Sequence, residues 1–157
     1  MNIVHRAFWV IAVLVVVASV APLASGADVP ADACSLLPTA VVNKTLNGTY
    51  TGPEKKVAPA PFRNTAQGTD CVYKFGGEVL LFRIYVDPSP DAAKELFARL
   101  KQYFGADSTA VSDIGDEAYV DKNHGLHVRK GKVRFFIDGG RNDQQRKAVA
   151  NGIIAQL

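Results

Sequence analysis

Residues 113–121 read DIGDEAYVD, and NHGLHVRKG follows at residues 123–131. Four acids in nine residues, Asp113, Asp116, Glu117 and Asp121, precede two histidines three apart, His124 and His127. Paired carboxylates share acid and base work when their surroundings push their pKa values apart, and an imidazole shuttles protons or binds metal. The spacing speaks against both uses. Residues three apart on a strand point to opposite faces, so His124 and His127 diverge. Only with His124 in a loop could the two converge, and two ligands make a poor zinc site. Asp and Gly cluster in turns because Asp bonds nearby backbone amides and Gly tolerates positive φ, so Ile114-Gly115-Asp116-Glu117 predicts a turn. Glu117, Tyr119 and Asp121 alternate with Ala118 and Val120, as on an edge or solvated strand face. The chain contains no G-x-S-x-G, H-E-x-x-H, P-loop or G-x-G-x-x-G motif. No catalytic residues, no metal ligands and no cofactor are expected.

The elements around these residues are readable from their punctuation. In DCVYKF-GG-EVLLFRIYV, Gly76-Gly77 suits a two-residue hairpin turn. That turn pairs Phe75 with Glu78, Tyr73 with Leu80 and Cys71 with Phe82. SPDAAKELFARLKQYFG predicts a helix capped by Ser89, opened by Pro90 and stopped by Gly105. Its stripe of Ala93, Leu96, Phe97, Leu100 and Phe104 reads as core packing. A turn at Lys130-Gly131 pairs Val128 with Val133 and Leu126 with Phe135 in a second hairpin. Asn142 or Asp143 caps a last helix that runs to Leu157, with Val149, Ile153 and Leu157 at i, i+4 spacing. Near the start, Asp32 caps a short turn, Pro38 begins a helix and Asn47-Gly48 stop it. Thr49 to Gly68, with three prolines, two glycines and Lys55, Lys56 and Arg63, predicts a mobile surface loop, with a binding loop as the alternative. The order α-β-β-α-β-β-β-α describes an α+β domain: an antiparallel sheet of about five strands with helices packed on one face.

The ends and the cysteines bound the compartment. His5 and Arg6 precede an apolar run, Ala7 to Ala21, and PLASGA offers a signal-peptidase site after Ala27 or one residue earlier. The apolar run is about 15 residues, short of the ~20 that span a bilayer. Cleavage is therefore expected, with an uncleaved N-terminal membrane anchor as the alternative and the only expected membrane contact. Removing 27 of 157 residues leaves 130, Asp28 to Leu157, enough for one domain. Of 18 basic residues Arg6 leaves with the leader, so 17 face 15 acids, a balance of +2. That is too weak to argue for nucleic acid. Cys34 and Cys71, the only cysteines, read as one disulfide in an oxidising compartment, periplasmic or secreted.

The faces opposite the expected core carry the remaining signal. The first hairpin shows Val72, Lys74, Val79, Leu81, Arg83 and Tyr85 there, and the second shows His127, Arg129, Lys132, Arg134 and Phe136. Together they form a cationic face with aromatic residues in it, suited to an anionic or peptide-like partner. The alternative is a solvated face whose basic stems lie over apolar neighbours. Arg83, Tyr85, His127, Arg129, Arg134 and Phe136 are the candidate ligand-binding residues.

DACSLLP, CVYKF, IGDEAY and GLHVRKG occur here in that order. The succession resembles a family of small bacterial secreted or lipoprotein domains of unknown function, and covers roughly Asp32 to Leu157. The resemblance implies export, an α+β fold and a Cys34–Cys71 disulfide, and carries over no catalytic residues. LASG is followed here by Ala27 rather than the cysteine a lipoprotein needs. The resulting expectation is an exported, non-enzymatic binding or accessory domain of the cell envelope, with an anionic envelope component, a peptide or a protein as partner. The rival expectation is an inhibitor or sensor that docks a protein through the Pro-rich loop 49–68.

Overall fold

The apolar runs on either side of Gly76-Gly77 pair in the register their alternation predicts. In the computed structural model, which describes residues 29–30, 32–104 and 107–157, Phe75 opposes Glu78, Tyr73 opposes Leu80 and Cys71 opposes Phe82. The expected leader at 1–27 and the Gly105 helix stop lie outside the described residues. Seven strands among the described residues form one antiparallel sheet: β1 (Thr51–Ala58), β2 (Gly68–Phe75), β3 (Glu78–Val86), β4 (Thr109–Val111), β5 (Glu117–Val120), β6 (Leu126–Lys130) and β7 (Val133–Asp138). Their spatial order is β1-β2-β3-β7-β6-β5-β4. The chain therefore leaves β3 through a helix, starts again at the far edge and returns inward to meet β3. Three helices accompany the sheet: α1 (Thr39–Leu46), α2 (Pro90–Phe104) and α3 (Asp143–Ile154).

The α+β class, the antiparallel sheet and the single disulfide stand, but the count of about five strands and the element order are corrected. Thr51–Ala58, expected as loop, is an edge strand paired along β2. Its side chains are exposed on both faces apart from Ala58, so no alternation marks it in the sequence. Pro53, Lys55 and Lys56 are residues an edge tolerates, since half its backbone groups face water. Thr109–Val111 is a second, three-residue edge strand. The second hairpin turns at Gly131-Lys132, pairing Lys130 with Val133 and Val128 with Phe135, two residues from the expected register. Gly131 takes φ 55, the left-handed value the turn requires. A slip of two preserves which side chains face the core, whereas a slip of one would invert them.

Helices lie on both faces, not on one. Val42 and Leu46 of α1 and Val149, Ala150 and Ile153 of α3 join Tyr73, Leu80, Phe82, Phe135 and Ile137 in one buried cluster. Cys34 lies in a 3-10 turn (Ala33–Leu36) on the same side and is bridged to Cys71 of β2. The opposite face receives α2, whose Phe97 ring lies 5.1 Å from that of Tyr119. Asp32, Ser89 and Asn142 cap their turns as expected, accepting from the amides of Cys34, Ala92 and Gln145. The last helix ends at Ile154 rather than Leu157. The disulfide is the chemistry of an oxidising, exported environment. Among the described residues no helix is long and apolar enough to cross a membrane.

Candidate functional site: a cleft between α2 and the sheet

Along one row of the second face, strand pairing sets Asp70, Arg83, Phe136, His127 and Tyr119 side by side on β2, β3, β7, β6 and β5. The first half of α2 packs onto the sheet through buried Ala93 and Phe97, with Phe97 against Tyr119 at the end of that row. Its second half stands off, and Leu100, Tyr103 and Phe104 look into a cleft of about 460 Å³. The stripe predicted as core thus divides: Leu96, Leu100 and Phe104 are only half-buried. Pro59, Ala60 and Pro61, just beyond β1, form the facing wall. The Tyr85 hydroxyl donates to the Pro59 carbonyl at 2.9 Å and ties that wall to the sheet. Gly125 sits where the Phe136 ring edge passes, since a Cβ there would lie 2.3 Å from Cε2 of that ring.

The floor is an aromatic stack with one titratable pair inside it. His127 is 8% exposed, its ring stacked on Tyr119 at 4.5 Å and flanked by Phe136 at 4.6 Å and Phe104 at 5.5 Å. Its Nε2 lies 2.9 Å from Oδ2 of Asp121. The other oxygen of Asp121 accepts from the amides of Asn123 at 2.8 Å and Gly125 at 3.0 Å. Asp121 therefore shapes the turn after β5 and also holds the imidazole. It and Tyr119 are buried, which corrects their assignment to a solvated or edge face. Burial pushes the His127 imidazole below its ordinary value against the upward pull of the Asp121 hydrogen bond and the weaker pull of Asp138. Burial raises the Asp121 carboxyl, but the His127 bond and the two amides together hold it below the usual carboxylate value.

Both shifts have the same consequence. The folded protein binds fewer protons than the unfolded chain at these groups, so stability is complete above pH 6.5 and is lost as pH falls through the folded value of His127. One proton contributes a slope of at most about 1.4 kcal/mol per pH unit. Asp121 adds a second loss only below pH 3.8. Urea midpoints between pH 7.5 and 5 should fall for the wild type and flatten in His127→Gln. An NMR titration that placed the imidazole midpoint above 6.5 would overturn the assignment.

The six candidate residues separate into two groups. Arg83, Tyr85, His127 and Phe136 line the cleft, whereas Arg129 and Arg134 do not. The bases of this face also have acidic partners. Arg83 holds Asp70 in a fork at 2.6 and 2.8 Å. Arg134 does the same with Asp87 at 2.5 and 2.9 Å, and its guanidinium lies 5.0 Å from the Tyr85 ring. Arg129 bridges Asp116 at 3.0 Å and Glu117 at 2.9 Å. The acids that looked like loop decoration thus neutralise the second hairpin. His124 adopts φ 67 in the turn and lines a separate depression with Asp107, Lys122 and Asp143. Among the described residues, no three His, Cys, Asp or Glu side chains converge to hold a metal.

Tyr103, Phe104, Asp121 and Asp138 are cleft residues that sequence reasoning did not assign to a site, whereas Pro59 and Pro61 belong to the segment named as the alternative binding loop. The stripe of α2 was legible, but not the face of the sheet it covers. Asp121 and His127 are six apart, a spacing that means contact only once the intervening turn is known. Comparison with protein-family models, with curated proteins and with solved structures returns no match.

Proposed function

We propose that this chain is an exported, non-enzymatic binding domain of the bacterial cell envelope that seats part of a peptide-like partner in the cleft beneath the end of α2. The observation that carries this reading is convergence: the Pro-rich segment and the aromatic part of the sheet face, two separate expectations, form a wall and the floor of one cavity of about 460 Å³. That volume lies in the range of ligand pockets, and its mix of rings, prolines and a few polar groups is the usual chemistry of such sites. The non-enzymatic reading is supported by the structural use of the Asp121–His127 pair: the carboxylate also accepts from the amides of Asn123 and Gly125, and the imidazole is buried in the ring stack. The rival reading, an inhibitor or sensor docking a protein through residues 49–68, is supported by the same wall, since Pro59 to Pro61 would touch that partner too.

Tyr103 provides the test. It lines the cleft yet is 76% exposed, so Tyr103→Ala leaves the fold nearly untouched. Short peptides with apolar side chains are expected to shift NMR resonances of Tyr85, His127 and Phe136, and Tyr103→Ala to weaken them about fivefold, the worth of about 1 kcal/mol of aromatic contact. Shifts gathered around Arg129 and Arg134, with the cleft silent, would defeat the reading. Shifts confined to Pro59–Pro61 and neighbouring loop residues would favour the rival.

A further inference from the structure

The charge inside the cleft has the opposite sign to that of the sequence that builds it. Three charged side chains line it: Arg83, Asp121 and Asp138. Arg83 is already neutralised by the Asp70 fork, and Asp121 holds an imidazole that burial keeps from charging. One positive group and three negative ones, Asp70 included, leave two negative charges at the site. Asp138 is exposed, and its carboxylate accepts from the amide of Gly139 at 2.8 Å. The rings of Tyr85, Tyr103, Phe104 and Phe136 line the same cleft as these acids. Aromatic faces and carboxylates both attract cations, and several rings around an acid are the recognition chemistry of ammonium groups.

We propose that the cleft seats a lysine side chain of the peptide-like partner. Its methylene stem lies along Leu100, Phe104 and the Pro59–Pro61 wall, and its ammonium sits among the rings with Asp138 as counter-charge. This inference rests on the reading of the cleft as the binding site and adds the sign of the partner's charge. An anionic group, the expectation from the basic composition of the face, would meet two uncompensated carboxylates and no unpaired arginine at this site.

Three blocked tripeptides that differ only in the central residue, lysine, norleucine or glutamate, separate the two levels. Titrated into the purified, disulfide-intact protein and followed by NMR, the lysine peptide is expected to bind about tenfold more tightly than norleucine, with glutamate weakest. Asp138→Asn should bring lysine down to the norleucine level while leaving norleucine unchanged, and rising salt should narrow the gap. Norleucine or glutamate binding as tightly as lysine would overturn the cationic inference and leave the cleft as the site. A lysine preference that survives Asp138→Asn would also overturn it, since the ammonium would then sit elsewhere. If none of the three moves a cleft resonance, both the inference and the site fall.

Discussion

Replacing Asp87 by alanine is expected to destabilise the domain by about 3–5 kcal/mol, because a buried guanidinium is left without its counter-charge. The Arg134–Asp87 side chains are 3% and 1% exposed, with Nε and Nη2 of the arginine on the two carboxylate oxygens. Asp87 follows β3 directly and its amide donates to the Lys132 carbonyl at 2.8 Å, so the pair clamps the start of α2 to β7. Most of the expected loss is the penalty of the orphaned charge rather than the worth of the bridge. Asp87→Leu with Arg134→Met should therefore recover most of it, since apolar side chains of similar volume replace buried pairs at little cost. Urea unfolding of Asp87→Ala and of the Asp87→Leu/Arg134→Met double variant, with Asp87→Leu and Arg134→Met singly, checks this. A single-variant loss below 1 kcal/mol would mean that water reaches the pair. Charge reversal at Arg134 is accordingly a stability experiment, and binding is better probed at Tyr103 and Asp138.

What was legible in the sequence was what short-range geometry decides. Gly76-Gly77 between two alternating runs left one sensible register, and that register is present. At the second hairpin the expected turn, Lys130-Gly131, put the glycine second; the chain places Gly131 first, because its left-handed φ belongs there. β1 left no trace because neither of its faces is buried; its partner is β2, supplied by long-range pairing. The basic face misled for a related reason. Arg83, Arg129 and Arg134 were visible in the alternation, but their acids sit 13, 12 to 13 and 47 residues away. Alternation assigns a side chain to a face without saying which acids arrive there. The same limit applied to α2: its stripe promised burial, yet only Ala93 and Phe97 are buried, while Leu100 and Phe104 are left to line a cavity.

Removing the disulfide should cost about 4 kcal/mol and lower the melting temperature by about 15 °C, while leaving affinity for cleft ligands unchanged below the transition. Cys34 and Cys71 are 37 residues apart, and the loop they close contains α1, β1 and the Pro59–Pro61 wall. In the unfolded chain the bridge forbids most of the arrangements that loop would otherwise sample, which is where the stabilisation arises. Folded, the same segments have other ties. The Tyr73 hydroxyl donates to the Leu37 carbonyl, β1 is laddered onto β2, and the Tyr85 hydroxyl bonds to Pro59. Reduction should therefore shift the unfolding equilibrium without opening the cleft, whose floor belongs to the opposite face of the sheet. Urea unfolding with and without reductant, with Cys34→Ala/Cys71→Ala as a reductant-free control, measures the first effect. Peptide titration of the same samples measures the second. A loss of affinity that parallels the loss of stability would show that the bridge also holds the Pro59–Pro61 wall in place, and that oxidation in the exported compartment completes the site as well as the fold.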